Sequence, residues 1–159
     1  MPFESNSFDG ALCIEVLEHA PSPELLLAET NRILKPGSRL LLTVPWSARR
    51  HHIPHDYHRF TRERLEILLV NSGFDSIQIR ERGDDYSVIA NKLIVVIIRN
   101  LKRISIRNFL IQLPLLVLLT PLSILVLCAA HLSFIFGNGQ SEDPLGYAVV
   151  ATKTRLSAP

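Results

Sequence analysis

Apolar and polar positions alternate along this chain in blocks that change period several times. Phe8 to Ile14 is a short apolar run after an Asn-Ser turn, and its length predicts an inner strand of a parallel sheet. Pro21, Ser22 and Pro23 then break the chain, and Glu24 to Leu34 carries Leu25, Leu26, Ala28, Ile33 and Leu34 at helical spacing. Lys35-Pro36-Gly37 reads as the stop of that helix, and Arg39 to Pro45 as a second strand, so the unit is strand, helix, strand with a parallel crossover. Trp46 to Phe60 is polar and has no period, which predicts a long loop at the carboxyl end of the second strand. Thr61 can cap a helix bearing Leu65, Ile67, Leu68, Leu69 and Val70, closed by Asn71-Ser72-Gly73. Ser76 to Glu81 and Gly146 to Lys153 complete a set of four predicted strands.

Between the last two strands, residues 88–139 break the pattern. Lys92, Arg99, Lys102, Arg103 and Arg107 precede any acid there, and the last four fall three or four apart, a basic stripe on one helical face. Phe109 to Ser141 contains no Asp, Glu, Lys or Arg, so Phe109 to Phe136 is long enough on paper to cross a bilayer, which needs roughly 20 apolar residues. Pro114 and Pro121 predict that this stretch is divided into short helices. Such pieces fit a shallow hairpin at a membrane surface or an oily cap on the sheet, and an even number of crossings keeps the last strand on the side of the others. The domain expectation is therefore 1–87 with 146–155 as one sheet-forming part, and 88–139 as a helical insertion.

Composition refines this picture only in part. The 159 residues, 47% of them hydrophobic and 20% charged, suffice for a core and exclude disorder throughout. A net charge of +2 is too small to indicate nucleic-acid binding. Cys13 and Cys128 sit in apolar runs without Cys-x-x-Cys spacing, so buried thiols in a reducing compartment are expected rather than a disulfide or a zinc site. No positive start or apolar signal opens the chain, which predicts a cytoplasmic protein with peripheral or monotopic membrane association through the later segment.

Several segments together resemble one family. Pro2 to Asp9, Val16-Leu17-Glu18-His19, Arg32-Ile33-Leu34-Lys35-Pro36-Gly37, Pro54-His55-Asp56-Tyr57 with Arg59-Phe60-Thr61, and Ser72-Gly73-Phe74 are similar to the C-terminal half of the class I, S-adenosylmethionine-dependent methyltransferases, of methyltransferase type 11-like sequence. The resemblance implies an α/β fold: a partial Rossmann-like sheet equivalent to the family's strands four to seven, with the hydrophobic helical insertion before the last strand. It implies S-adenosylmethionine as cofactor and a small or lipid-linked acceptor, with an anionic membrane surface as a further partner. The family's Gly-rich loop and ribose-binding acid have no counterpart here, and Met1 falls where the family is midway through its domain. The expectation is a truncated reading frame, a doubtful grip on the cofactor by this chain alone, and a complementing polypeptide or self-association. The rival reading is a non-catalytic membrane-associated remnant or interaction protein.

Methyl transfer from a sulfonium is an in-line displacement, so the protein aligns donor and acceptor and sometimes supplies a base. Glu15 to His19 leaves the carboxyl end of a strand, where open sheets bind ligands, so Glu15 and Val16 are the cofactor-facing candidates and His19 an acceptor-site candidate. The competing reading has His19 packing against the following helix. His55, Asp56 and Tyr57 are candidates for the acceptor-site wall, with His55 a general base; the competing reading pairs Asp56 with Arg59 to pin the loop. His51, His52, His55, Asp56 and His58 crowd into eight positions, yet their spacing matches no metal motif, and no metal site is expected. Arg49, Arg50, Arg59, Arg62 and Arg64 make this neighbourhood basic, which suits an anionic acceptor or a solvated face.

Overall fold

The computed structural model describes residues 1–102 and 109–155. Residue contacts divide the chain into one unit of residues 1–82 with 146–159 and another of residues 83–145. The first is built on strands β1 (Phe8–Ile14), β2 (Leu34–Pro45), β3 (Phe74–Arg82) and β4 (Gly146–Lys153), in the order β1-β2-β4-β3. β1 and β2 are parallel, and β4 runs antiparallel to both of its neighbours. The last strand in the chain therefore lies inside the sheet. Helices α1 (Pro23–Ile33) and α2 (Arg62–Asn71) supply the helical side of the core.

Alternation along β2 sorts the two faces. Leu40, Leu42 and Val44 are buried with Leu27 of α1, Leu65, Leu68 and Leu69 of α2, and Val149 and Ala151 of β4 in one cluster, against which Trp46 packs. On the other face Leu12, Ile14 and Leu41 are 74%, 51% and 43% exposed, and the last two border an open groove of about 330 Å³. An apolar sheet face left to water is unusual for a parallel pair, because such strands are normally covered on both sides.

Two predicted boundaries shift for backbone reasons. Lys35-Pro36-Gly37 lies within β2 rather than ahead of it: pairing steps from Phe8↔Leu34 to Gly10↔Arg39, so the intervening residues bulge out of the ladder. Pro36 has no N–H to contribute and Gly37 takes φ +83°, both suited to a bulge. β3 starts at Phe74, two residues earlier than expected, with its own irregularity between Asp75 and Gln78. Arg32 ties the N-terminal segment to α1 by donating to Glu29 and to the carbonyls of Met1 and Phe3.

The second unit is a pair of packed helices, α3 (Asp85–Leu101) and α4 (Phe109–Phe136). Asp84 caps α3 by accepting from the Ser87 N–H and also receives the Ser133 hydroxyl from α4. The expectation of short pieces fails here: α4 is one helix of 28 residues running through Pro114 and Pro121. A proline removes one backbone donor and bends a helix, but here the remaining ladder carries the helix through both positions. At 1.5 Å per residue α4 is about 42 Å long, so by length and composition it suffices to cross a membrane, and only 17% of its apolar window is buried. Of the basic stripe, Arg99 lies on α3 and Lys102 follows it, whereas Arg103 and Arg107 lie outside the described residues.

Candidate active site at the carboxyl ends of the parallel strands

β1 and β2 end side by side, and the loops leaving them close on each other. The Glu15 N–H still bonds the Thr43 carbonyl at 3.0 Å, but Glu15 itself turns to φ +52° and sends the chain away from the sheet. A non-glycine residue in the left-handed region at a strand end is the kind of backbone strain that functional turns retain. A single 3-10 turn, Leu17–His19, follows, with Leu17 and Glu18 fully buried. The Glu18 carbonyl then accepts the N–H groups of both Tyr57 and His58, at 3.0 and 3.2 Å, which anchors the 46–60 loop on this turn.

Asp56 holds that loop together from inside. Its carboxylate, 1% exposed, accepts both Nη atoms of Arg59 at 2.6 and 3.0 Å and the His51 N–H at 2.8 Å. The Arg59 guanidinium keeps the Asp56 carboxyl well below the usual carboxylate range, helped by the His51 N–H and opposed by burial. Asp56 is thus engaged by Arg59 rather than turned outward.

His19 stands at the junction. Its Nδ1 meets the carbonyl of His55, and its Nε2 lies 3.1 Å from Nε2 of His51. Glu18 Oε1 is 3.6 Å from the first Nε2 and 3.7 Å from the second. Burial raises the Glu18 carboxyl above its ordinary pKa. His55 and Tyr57 form a separate pair, with Nδ1 3.0 Å from the phenolic oxygen, and Tyr57 is exposed. His58 reaches back to the carbonyl of Ala20 through Nε2, at 3.1 Å.

Of the two residues expected to face the cofactor, Glu15 is paired with Arg82 at 2.6 Å and Val16 is 46% exposed. Together with Ile14 they offer one wall at the strand ends. The left-handed glycines among the described residues are Gly37, Gly73, Gly83 and Gly137, none of them within the Glu15–His19 turn. The described residues fit one side of S-adenosylmethionine and not its full enclosure. Sequence reasoning selected Glu15 and His19 but passed over Glu18 between them and the pairing of His19 with His51. An acid inside the otherwise apolar Val16-Leu17-Glu18 step was the available signal for Glu18; the His51 contact is tertiary and has no local signature.

The fold these features define is a Rossmann-like α/β sheet of the kind found in class I methyltransferases. Residues 1–42 match the family described as methyltransferase domain. Among curated proteins, 24-methylenesterol C-methyltransferase 2 of Arabidopsis thaliana is 60% identical over 46 residues, 29% of this chain and 12% of that protein. The ubiquinone biosynthesis O-methyltransferase of Xanthomonas oryzae pv. oryzae is 42% identical over 41 residues, 26% of this chain and 17% of that enzyme. The similarity thus spans well under a fifth of these relatives. Among solved structures, the [4+2]-cyclase SpnF superposes with a TM-score of 0.53 at 20% identity, over 97% of this chain and 52% of SpnF. Phosphoethanolamine N-methyltransferase 2 of Haemonchus contortus, in complex with S-adenosyl-L-methionine, gives 0.53 at 16% identity over 97% of this chain and 35% of that one. These likenesses establish the Rossmann-like methyltransferase fold.

Proposed function

We propose that this chain provides the acceptor-side half of an S-adenosylmethionine-dependent methyltransferase acting on a small or lipid-linked acceptor. The observation that carries the reading is the convergence, at the carboxyl ends of β1 and β2, of the 46–60 loop on the Glu15–His19 turn, the turn lying within the 1–42 segment that matches the methyltransferase family. Ligands of open α/β sheets bind at that end. In this reading Glu15 and Val16 face the cofactor, whose bound methylsulfonium supplies the electrophile. His55 and Tyr57 form the exposed wall where a proton from an acceptor hydroxyl or amine is taken up, while His19 and Asp56 position the loop that carries them. A complementing polypeptide or a second copy would supply the remaining enclosure. Sterol and ubiquinone relatives favour a lipid-like acceptor, and α3 with α4 would bring the site to an anionic membrane surface from the cytoplasmic side, each basic residue near the headgroups adding about 1 kcal/mol.

Calorimetry with S-adenosylmethionine on the purified chain, alone and co-expressed with any in-frame segment encoded upstream of Met1, tests this. Saturable binding that strengthens on co-expression is expected, with His55→Ala and Tyr57→Phe lowering kcat rather than cofactor affinity. Absence of heat and of thermal stabilisation at millimolar ligand in both forms would overturn it. The exposed apolar surface of α4 favours a second reading, a non-catalytic membrane-associated interaction protein, which that result would leave standing if the chain sediments with vesicles.

A further inference from the structure

We propose that Glu18, His19 and His51 form a binding site for one divalent transition-metal ion, of which Zn²⁺ is the reference. The three candidate donor atoms, Glu18 Oε1 and the two Nε2 atoms, make a triangle with edges of 3.1, 3.6 and 3.7 Å. A tetrahedral ion bound about 2.0–2.2 Å from each ligand requires donor separations of about 3.3–3.6 Å, so the triangle accommodates it with small adjustments.

The protonation pattern makes the same demand independently. Nδ1 of His19 faces the carbonyl of His55, and Nδ1 of His51 lies 3.2 Å from the carbonyl of Arg49. A carbonyl only accepts, so each Nδ1 carries a proton, and in a neutral ring Nε2 is left with a lone pair. Two lone pairs then oppose each other at 3.1 Å, beside a carboxylate. This is also how metal-binding histidines are commonly oriented, with the second ring nitrogen donating to a backbone carbonyl.

Glu18 supplies the second observation. Its side chain is 0% exposed, and neither carboxylate oxygen has a hydrogen-bond partner within the protein. Burying a carboxylate without a hydrogen bond or a counter-charge is costly, and native proteins rarely tolerate it. A proton placed between the imidazoles would satisfy the 3.1 Å contact and still leave Glu18 unbonded, because both of its nitrogen neighbours lie beyond hydrogen-bond reach. A cation within the triangle satisfies all three groups together.

Two imidazoles and one carboxylate suit Zn²⁺, Co²⁺ or Fe²⁺ and are poor ligands for Mg²⁺ or Ca²⁺, which prefer oxygen. The His51 side of the triangle is the accessible one, with that side chain 36% exposed, leaving a coordination position for water or an incoming oxygen. The histidine-rich loop provides one ligand, and the turn after β1 provides the other two. For that reason the spacing within the loop carries no metal signature.

The test uses the full chain in detergent micelles, stripped with a chelator and titrated with Co²⁺ alone and then Zn²⁺ alone. One equivalent of Co²⁺ should produce a visible ligand-field band that one equivalent of Zn²⁺ abolishes. Glu18→Gln and His51→Gln should each weaken Zn²⁺ binding about a hundredfold or more, whereas His131→Gln in α4 leaves it unchanged. His51 is on a partly exposed loop, so His51→Gln retains the fold if the Glu18 variant does not, and circular dichroism verifies both. No band at millimolar Co²⁺ with no Zn²⁺ heat, or binding that survives in folded Glu18→Gln and His51→Gln, would overturn the proposal. The readout requires neither S-adenosylmethionine nor an acceptor, so its failure is separate from failure of the methyltransferase reading.

Discussion

Breaking the Asp56–Arg59 clamp should loosen the 46–60 loop by a measurable and non-additive amount. Asp56 accepts three charge-assisted hydrogen bonds, at 2.6, 2.8 and 3.0 Å, two of them from one guanidinium. Hydrogen bonds to charged groups contribute about 1.5–3 kcal/mol each when buried, but Arg59 is 23% exposed, which moves the pair toward the lower end. Asp56→Asn, which keeps the shape and one acceptor, should cost about 2 kcal/mol, and Arg59→Gln a similar amount. The double variant should cost less than the two together, with a coupling of about 1.5 kcal/mol. Trp46, the one tryptophan in the sequence, stands where β2 enters the loop, so urea unfolding followed by its fluorescence reports on this region. The pH dependence has a definite sign. Because pairing lowers the Asp56 pKa in the folded state, its stabilisation is complete above the unfolded value of about 3.9 and is lost as pH falls from there toward the folded pKa. Asp56→Asn should therefore flatten the acid limb of the stability profile. Additivity within about 0.3 kcal/mol, or an unchanged acid limb, would refute the clamp.

Further outcomes follow from other parts of the structure. Leu42→Ala empties a fully packed position in β2 and should cost about 2–5 kcal/mol in denaturant unfolding. Leu12→Thr with Ile14→Thr should change that stability by less than about 1 kcal/mol, since both side chains are largely exposed, and should reduce self-association by sedimentation; stronger association would contradict the open sheet face. Asp84→Ala removes the α3 cap and its bond from Ser133, for a loss of about 1–2 kcal/mol in the thermal melt of the helical signal. Burial pushes the Cys13 thiol up to about 11, so at pH 8 it should alkylate far more slowly than a small model thiol; equal rates would show that β1 is open.

Strands were legible wherever the apolar alternation was undisturbed. Phe8–Ile14 and Gly146–Lys153 coincide with their expected limits. Lys35-Pro36-Gly37 misled because proline and glycine mark a bulge inside a strand as readily as a helix stop. Pro114 and Pro121 misled because a proline removes a single backbone donor and bends a helix without having to end it, and the uncharged α4 continues through both. At the site, adjacent candidates such as Glu15 and His19 were accessible from their position after a strand. The Glu18, His19 and His51 cluster depends on a contact across 32 residues of sequence, which no local period encodes.

The position of β4 has a consequence for how the molecule is made. Arg39 pairs with Thr152, so the centre of the sheet waits for a partner that leaves the ribosome more than a hundred residues later, after the whole of α3 and α4. Until then β2 and β3 each present an unpaired edge, and a greasy 28-residue helix is already outside the exit tunnel. Correct assembly then depends on both edges staying free of other partners until the final strand arrives.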